Sequence, residues 1–248
     1  MGCMGRPLVD GERPVLAGVR LGRARKLSPT IAALGAERRR VLTEFWTTVA
    51  LAEHASIAEF HRVSLELMRH GAPAELLAAA QRAAADEARH ARHAFALASA
   101  YAGRSVQPAA LPLGDTVALA PDLVSLASTT LRDGCAGETC SAWLYARLAD
   151  RATDPTARRV LHGIVRDETR HAELAWAVLR WAVKAGGAPV RAVVRSELRA
   201  APPAMAIGPA ADDASLAAHG WAPAREQARF IEEVWRAVVV PVAAALAA

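Results

Sequence analysis

The sequence is short of cysteine, aromatic residues, lysine and long apolar runs, and each shortage excludes something. Cys3, Cys135 and Cys140 are the only cysteines in 248 residues, too few for a disulfide framework. Cys135 and Cys140 are five apart on a predicted helix, so their side chains point in different directions. Aromatics make up 5%, and no β-branched or aromatic run is long enough to build a sheet. The closing apolar run, 237–248, is too short to cross a bilayer and contains Pro241. The N-terminus has no apolar signal core, and Met1-Gly2-Cys3 lacks the Ser or Thr that a myristoylation motif needs. A cytoplasmic protein with no membrane span is expected. An envelope lipoprotein is the alternative if the true start lies upstream of Cys3.

What is present is alanine, 60 residues of it, and alanine is the best intrinsic helix former. With 53% hydrophobic and 22% charged residues, the chain can bury a core and is no polyelectrolyte. The expectation is an all-α protein. The net charge is +5, and Lys26 and Lys184 are the only lysines. The arginines are spread along every predicted helix rather than gathered in a stripe, so nucleic acid is not the expected partner.

Glycine and proline punctuate the chain. Residues 1–35 form an irregular lead-in. Helices are predicted over 36–69, from Pro73 to 101, over 122–150 and from Pro155 to 185, with stops at Gly71, Gly103 and Gly186-Gly187. Gly134 and Gly137 disturb the third. A long connection covers 104–121. The order is two helical hairpins joined by a crossover, a recurring connectivity of four-helix bundles. Thus 1–35 is the lead-in, 36–187 the bundle, and 188–248 a C-terminal helical extension packed on it.

The two halves repeat. Glu53 is followed by Asp86-Glu87-Ala88-Arg89-His90-Ala91, and Glu138 by Asp167-Glu168-Thr169-Arg170-His171-Ala172. The strings share Asp-Glu-x-Arg-His-Ala, which indicates a duplicated helical pair. Each glutamate lies mid-length in an apolar stripe; Trp46, Val49, Ala50, Phe60 and Leu67 share that of Glu53. An isolated buried carboxylate must pair, protonate or bind a metal. Two divalent cations would cancel four such charges, and Glu-x-x-His lets both side chains reach one point. One Glu from each of two helices plus Glu-x-x-His from each of the others is a di-iron or di-manganese pattern. Surface charge and satisfied core ion pairs are the competing readings.

These motifs resemble the ferritin-like superfamily of dinuclear carboxylate proteins, over about residues 40–186. Asp-Glu-x-Arg-His at 86–90 and 167–171 is similar to the doubled motif of bacterial multicomponent monooxygenases and ribonucleotide reductase small subunits. The segment starting Glu53-His-Ala-Ser-Ile-Ala is similar to bacterial ferritin-like domain proteins. The resemblance implies a ferritin-like four-helix bundle and six metal ligands, Glu53, Glu87, His90, Glu138, Glu168 and His171, with Glu87 and Glu168 bridging. It implies that Asp86 and Asp167 accept hydrogen bonds from the ligand histidines and that Arg89 and Arg170 hold those aspartates; the alternative is a surface salt bridge. It further implies two iron ions, with manganese or a mixed pair as variants, and O2 activation for oxidation or hydroxylation of a small-molecule substrate, using an external electron donor. The alternatives are an iron-binding ferroxidase and a manganese peroxidase or catalase. A homodimer is compatible with the family, and tRNA hydroxylases are a further candidate. The chain is shorter than a hydroxylase subunit, and its C-terminal region is longer than a ferritin's.

Other polar residues are expected elsewhere. Glu59 and Glu66 are assigned to solvent. His54, His61 and His93 are assigned to the surface or the periphery of the site, and Glu173 to its rim. Tyr145 lies on the ligand stripe as a candidate catalytic residue, with core packing as the alternative; for Tyr101 core packing is the stronger reading. Cys135 could face the cavity. Ala91, Ala142, Ala172 and Ser141 would leave space beside the ligands.

Overall fold

The computed structural model describes residues 6–10, 13–22, 26–114, 117–199 and 213–248. Cys3 and the stretch 200–212 lie outside the described residues.

The chain is mostly helical, as the alanine content demands. In the lead-in, β1 (Val9–Asp10) pairs antiparallel with β2 (Arg13–Pro14), and β3 (Val19–Arg20) pairs with the later β4 (Gln107–Pro108). These two-residue ladders are the only strands among the described residues. The first hairpin is α1 (Ala36–Arg69) and α2 (Ala74–Ala102). Its turn carries Gly71 at φ 67°, and α2 stops at Gly103 with φ 64°, a left-handed position suited to glycine.

The second hairpin starts with α3 (Leu123–Thr129), capped by the Asp122 side chain accepting from the Ser125 N–H at 2.8 Å. It continues through a π-helical segment, Thr130–Ala136, into α4 (Gly137–Arg151). The disturbance expected at Gly134 and Gly137 is therefore a π-helical insertion in a continuous helix. Asp154 caps α5 (Pro155–Glu197) through the Thr156 and Ala157 N–H groups, and Pro155 fills the first position. Asp154 also accepts from Thr30 N–H at 2.7 Å, which ties the lead-in to this helix start. At Gly187 the backbone leaves helical values (φ 60°, ψ −138°) and α5 bends. The short α6 (Ala214–Ala217) precedes α7 (Ala224–Val234), a second π-helical segment (Trp235–Val239) and α8 (Val240–Ala247).

The hairpins pack on each other through α2 and α5, while α7 lies on α4 and α8 on α5. Three apolar clusters hold the helices. One joins the first half of α1 to the end of α2, α4 and α7 around Trp46, Tyr145 and Trp221. A second joins the π segment to α5 and the C-terminal helices around Leu131, Leu179 and Val239. A third lies at the α1–α2 turn around Phe60, Val63 and Leu67. Tyr101 packs in the first cluster, with its hydroxyl 3.0 Å from His219 Nδ1. The core reading for Tyr101 holds. No helix of the described residues is long and apolar enough to cross a membrane.

Glu59 and Glu66 do not face solvent. They are 1% and 0% exposed. Arg62 lies between them on α1 and bonds both, Arg6 of the lead-in donates to Glu59 at 3.1 Å, and the Ala120 N–H donates to Glu66 at 2.7 Å. Helical angle placed the glutamates off the Glu53 stripe, but the lead-in and the crossover cover that face. Removing one partner of a buried ion pair strands the other charge. Glu59→Ala is therefore expected to destabilise the protein by about 3–5 kcal/mol in urea unfolding, whereas Glu44→Ala, on the exposed face of α1, leaves the midpoint nearly unchanged.

Candidate metal centre

Each hairpin delivers its polar residues to one level because the apolar clusters fix the helices above and below it. Glu53 comes from α1, Glu87 and His90 from α2, Glu138 from α4, and Glu168 and His171 from α5. None is more than 2% exposed. The structure brings all of these sequence-predicted residues together.

They form two groups. Glu53, Glu87, His90 and Glu168 make one; Glu87, Glu138, Glu168 and His171 make the other. Within each, one donor atom per residue lies within 4.8 Å of all the rest. Glu87 and Glu168 belong to both groups, which is the placement expected of bridging carboxylates.

The donor atoms approach without hydrogen bonding. His90 Nδ1 lies 3.4 Å from Glu53 Oε2, 3.4 Å from Glu87 Oε2 and 3.5 Å from Glu168 Oε1. His171 Nδ1 lies 3.0 Å from Glu87 Oε1 and 3.6 Å from Glu168 Oε1. Yet both Nδ1 atoms, Glu53 Oε2 and all the carboxylate oxygens of Glu87, Glu138 and Glu168 lack a hydrogen-bond partner. Buried polar atoms are rarely left so. Ligands roughly 2.1 Å from one ion, at right angles to each other, lie about 3 Å apart. The spacing and the unsatisfied atoms fit a set of metal ligands.

Around this set lies a second layer of charge, and it is crossed between the hairpins. Asp167 of α5 lies 3.1 Å from His90 Nε2 of α2, and Asp86 of α2 lies 3.5 Å from His171 Nε2 of α5. Each histidine thus turns Nε2 outward toward an aspartate and Nδ1 inward. His90 Nε2 hydrogen-bonds Asp167, an arrangement that fixes tautomer and ring orientation, whereas His171 Nε2 only faces Asp86 and has no hydrogen-bond partner. Arg89 Nη2 bonds Asp86 and Asp167, both at 2.6 Å; Arg170 Nη2 bonds the same two aspartates, both at 2.8 Å. Asp86, Arg89, Asp167 and Arg170 close a ring of alternating charge. The arginines hold both aspartates, as expected of them; of the two expected histidine bonds, only His90 to Asp167 is made, and each aspartate faces the histidine of the other hairpin.

Tyr145 of α4 donates from its hydroxyl to Glu53 Oε1 at 2.8 Å. Burial and the Glu53 and Glu168 charges push its phenol well above the usual range, so it keeps its proton. The remaining residues sort differently. Cys135 is buried in the apolar cluster with Leu131, Ala136 and Leu179. Glu173 and His61 are exposed, and His54 is half-buried. Ala91, Ala142, Ala172 and Ser141 are buried beside the ligands. The buried Arg6–Glu59–Arg62–Glu66 network escaped the sequence reading, although the Glu59-x-x-Arg62-x-x-x-Glu66 spacing, one partner a turn to either side of the arginine, was its signal.

The metal-free site is strongly biased in its protonation. Burial, then the neighbouring carboxylates, raises Glu53 and Glu138 well above 4.5. Burial would lower His90 and His171, but the facing aspartates and glutamates outweigh it and raise them well above 6.5. Burial would raise Glu87, Asp86 and Asp167 too, but the close Glu53 carboxyl and the histidines hold Glu87 low, and the facing histidines and arginines hold the aspartates low.

Groups raised on folding stabilise the folded state below their unfolded values and lose that contribution as pH rises through their folded values. The lowered groups contribute a constant amount above about pH 5. The chelated protein is therefore expected to lose stability as pH rises from about 5 to 8. Metal binding needs deprotonated ligands, so its affinity should rise over the same interval, with proton release. Thermal unfolding with chelator and with Mn(II), each across that range, checks both signs. No known protein family matches this chain, and neither does any curated protein or solved structure.

Proposed function

We propose that this chain is a dinuclear metal–carboxylate protein of the ferritin-like kind, loaded with iron, which activates O2 to oxidise or hydroxylate an organic substrate. The observation that carries the reading is the pair of buried donor groups sharing Glu87 and Glu168. Mixed imidazole and carboxylate donors suit iron or manganese rather than Cu(I) or structural zinc. The short-turn hairpins, the long connection between them and the repeated motif support a ferritin-like four-helix bundle.

The chemistry a bound metal pair supplies is reduction of O2, with electrons from an external donor, and oxidation of a substrate. The protein's own residues set the conditions. Glu87 and Glu168, which belong to both donor groups, would help hold both ions. Asp167 holds the His90 imidazole with Nδ1 inward, and Asp86 faces His171 Nε2. Tyr145 pins one oxygen of Glu53 and leaves the other facing the site. That hydrogen bond keeps a proton beside a ligand carboxylate. Phe60 packs 5.0 Å from the His171 ring and, with Ala91 and Ala172, keeps water out. Ferroxidase and manganese peroxidase chemistry would use the same ligands and are separated from this reading by the product formed.

Anaerobic Fe(II) loading tests the proposal. The wild-type chain is expected to hold about two irons and to show a transient visible absorption on exposure to O2. A Glu87→Ala, Glu168→Ala double variant should lose both. If wild type binds no more iron than that variant, the proposal is wrong. Asp167→Ala should weaken metal binding about 10- to 100-fold, measured by competition with a chelator of known affinity.

A further inference from the structure

A groove opens on the outer side of α1 and α2. His54 and Ile57 come from α1, and Ala88, Ala91, Arg92 and Phe95 from α2, while Gln107 and Pro108 of β4 form its lip. It encloses about 200 Å³, smaller than a drug-sized site and suited to a small ligand. We propose that this groove binds the organic substrate of the metal centre, and that the substrate is a carboxylic acid bearing an apolar chain or ring. The proposal rests on the dinuclear-metal reading above.

Position comes first. His54, Ala88 and Ala91 each directly follow a candidate ligand: Glu53, Glu87 and His90. One step along a helix turns a side chain by about 100°. The groove therefore flanks the ligand-bearing faces of both helices. On the α2 side, the part of the groove wall that directly follows the candidate ligands in sequence is formed by two alanines, Ala88 and Ala91. A bulky residue at either position would thicken that wall.

Charge comes second. Asp86 and Asp167 partner Arg89 and Arg170, and Glu59 and Glu66 partner Arg62. Arg92 has no acidic partner among the described residues, and it is exposed at the groove. No Asp or Glu lines the groove, so a cationic ligand would find no counter-charge there. His54 Nδ1 is buried without a hydrogen-bond partner and offers a second polar contact. Ile57, Phe95 and Pro108 supply the apolar surface. A carboxylate at Arg92 would leave the apolar end of the ligand to run along these residues to the alanine wall.

Octanoate is a suitable probe, with 1-octanol and octylamine as uncharged and cationic controls. Titration calorimetry on the Mn(II)-loaded full-length protein should show octanoate binding most tightly. Arg92→Gln should weaken it about 10-fold or more, the usual worth of a charged hydrogen bond. Ala91→Leu should weaken it as well, with the manganese content per chain unchanged. The proposal is overturned if octanoate fails to bind, if Arg92→Gln binds it like wild type, or if either control binds as well. The metal reading fails separately. Absence of bound manganese, with octanoate binding still dependent on Arg92, leaves the carboxylate groove standing and removes the metal centre. Bound manganese with no effect of Arg92 does the reverse.

Discussion

Four glutamates hidden from water share one belt of this protein, and their mutual repulsion sets the terms for everything around them. Like charges about 4 Å apart repel by roughly 4 kcal/mol even at an effective dielectric of 20. Burial alone would keep such groups neutral. Instead, two histidines lie among them, and each histidine is backed by an aspartate that favours its charged form. A bound metal would compete with protons for the same carboxylates, either one supplying the positive charge that the belt lacks. The apolar clusters matter because they hold the four helices at a separation where neither water nor a neighbouring arginine can reach the belt.

A second constraint lies one level away, at the π-helical segment. A π turn adds a residue and re-aims the helix that follows, here the one carrying Glu138 and Tyr145. Gly134 sits within it, and a Cβ there would come within 2.7 Å of Arg6 Nη1. Arg6 is itself held by Glu59. The lead-in, far from the site in sequence, thus bears on the segment that orients a candidate ligand. The buried Arg62 pairs hold the opposing stretch of α1.

Much of this was legible in one dimension because it is periodic or repeated. Alanine content and the glycine stops give the helices and their turns. The doubled Asp-Glu-x-Arg-His string gives four of the six candidate ligands, and the apolar stripes give Glu53 and Glu138. What could not be read depends on pairing across elements. Helical angle sent Glu59 and Glu66 to solvent because it cannot know that the lead-in and crossover cover that face. It placed Tyr101 and Tyr145 on equivalent stripes, yet one meets His219 and the other Glu53. The partner of each aspartate was equally hidden: Asp86 and His90 are one turn apart on a single helix, but Asp86 faces His171.

That crossing bears on origin. A lone copy of either hairpin carries one aspartate and one histidine that face away from each other, so it can complete neither contact by itself. Two copies related by a twofold axis complete both at once, together with the arginine ring, as an isologous interface does. The present chain has the form of such a pair made permanent by a linker. Fusion frees the halves to differ, and they do: only the second has a π segment, and only there does a tyrosine reach across to the other half's lone glutamate.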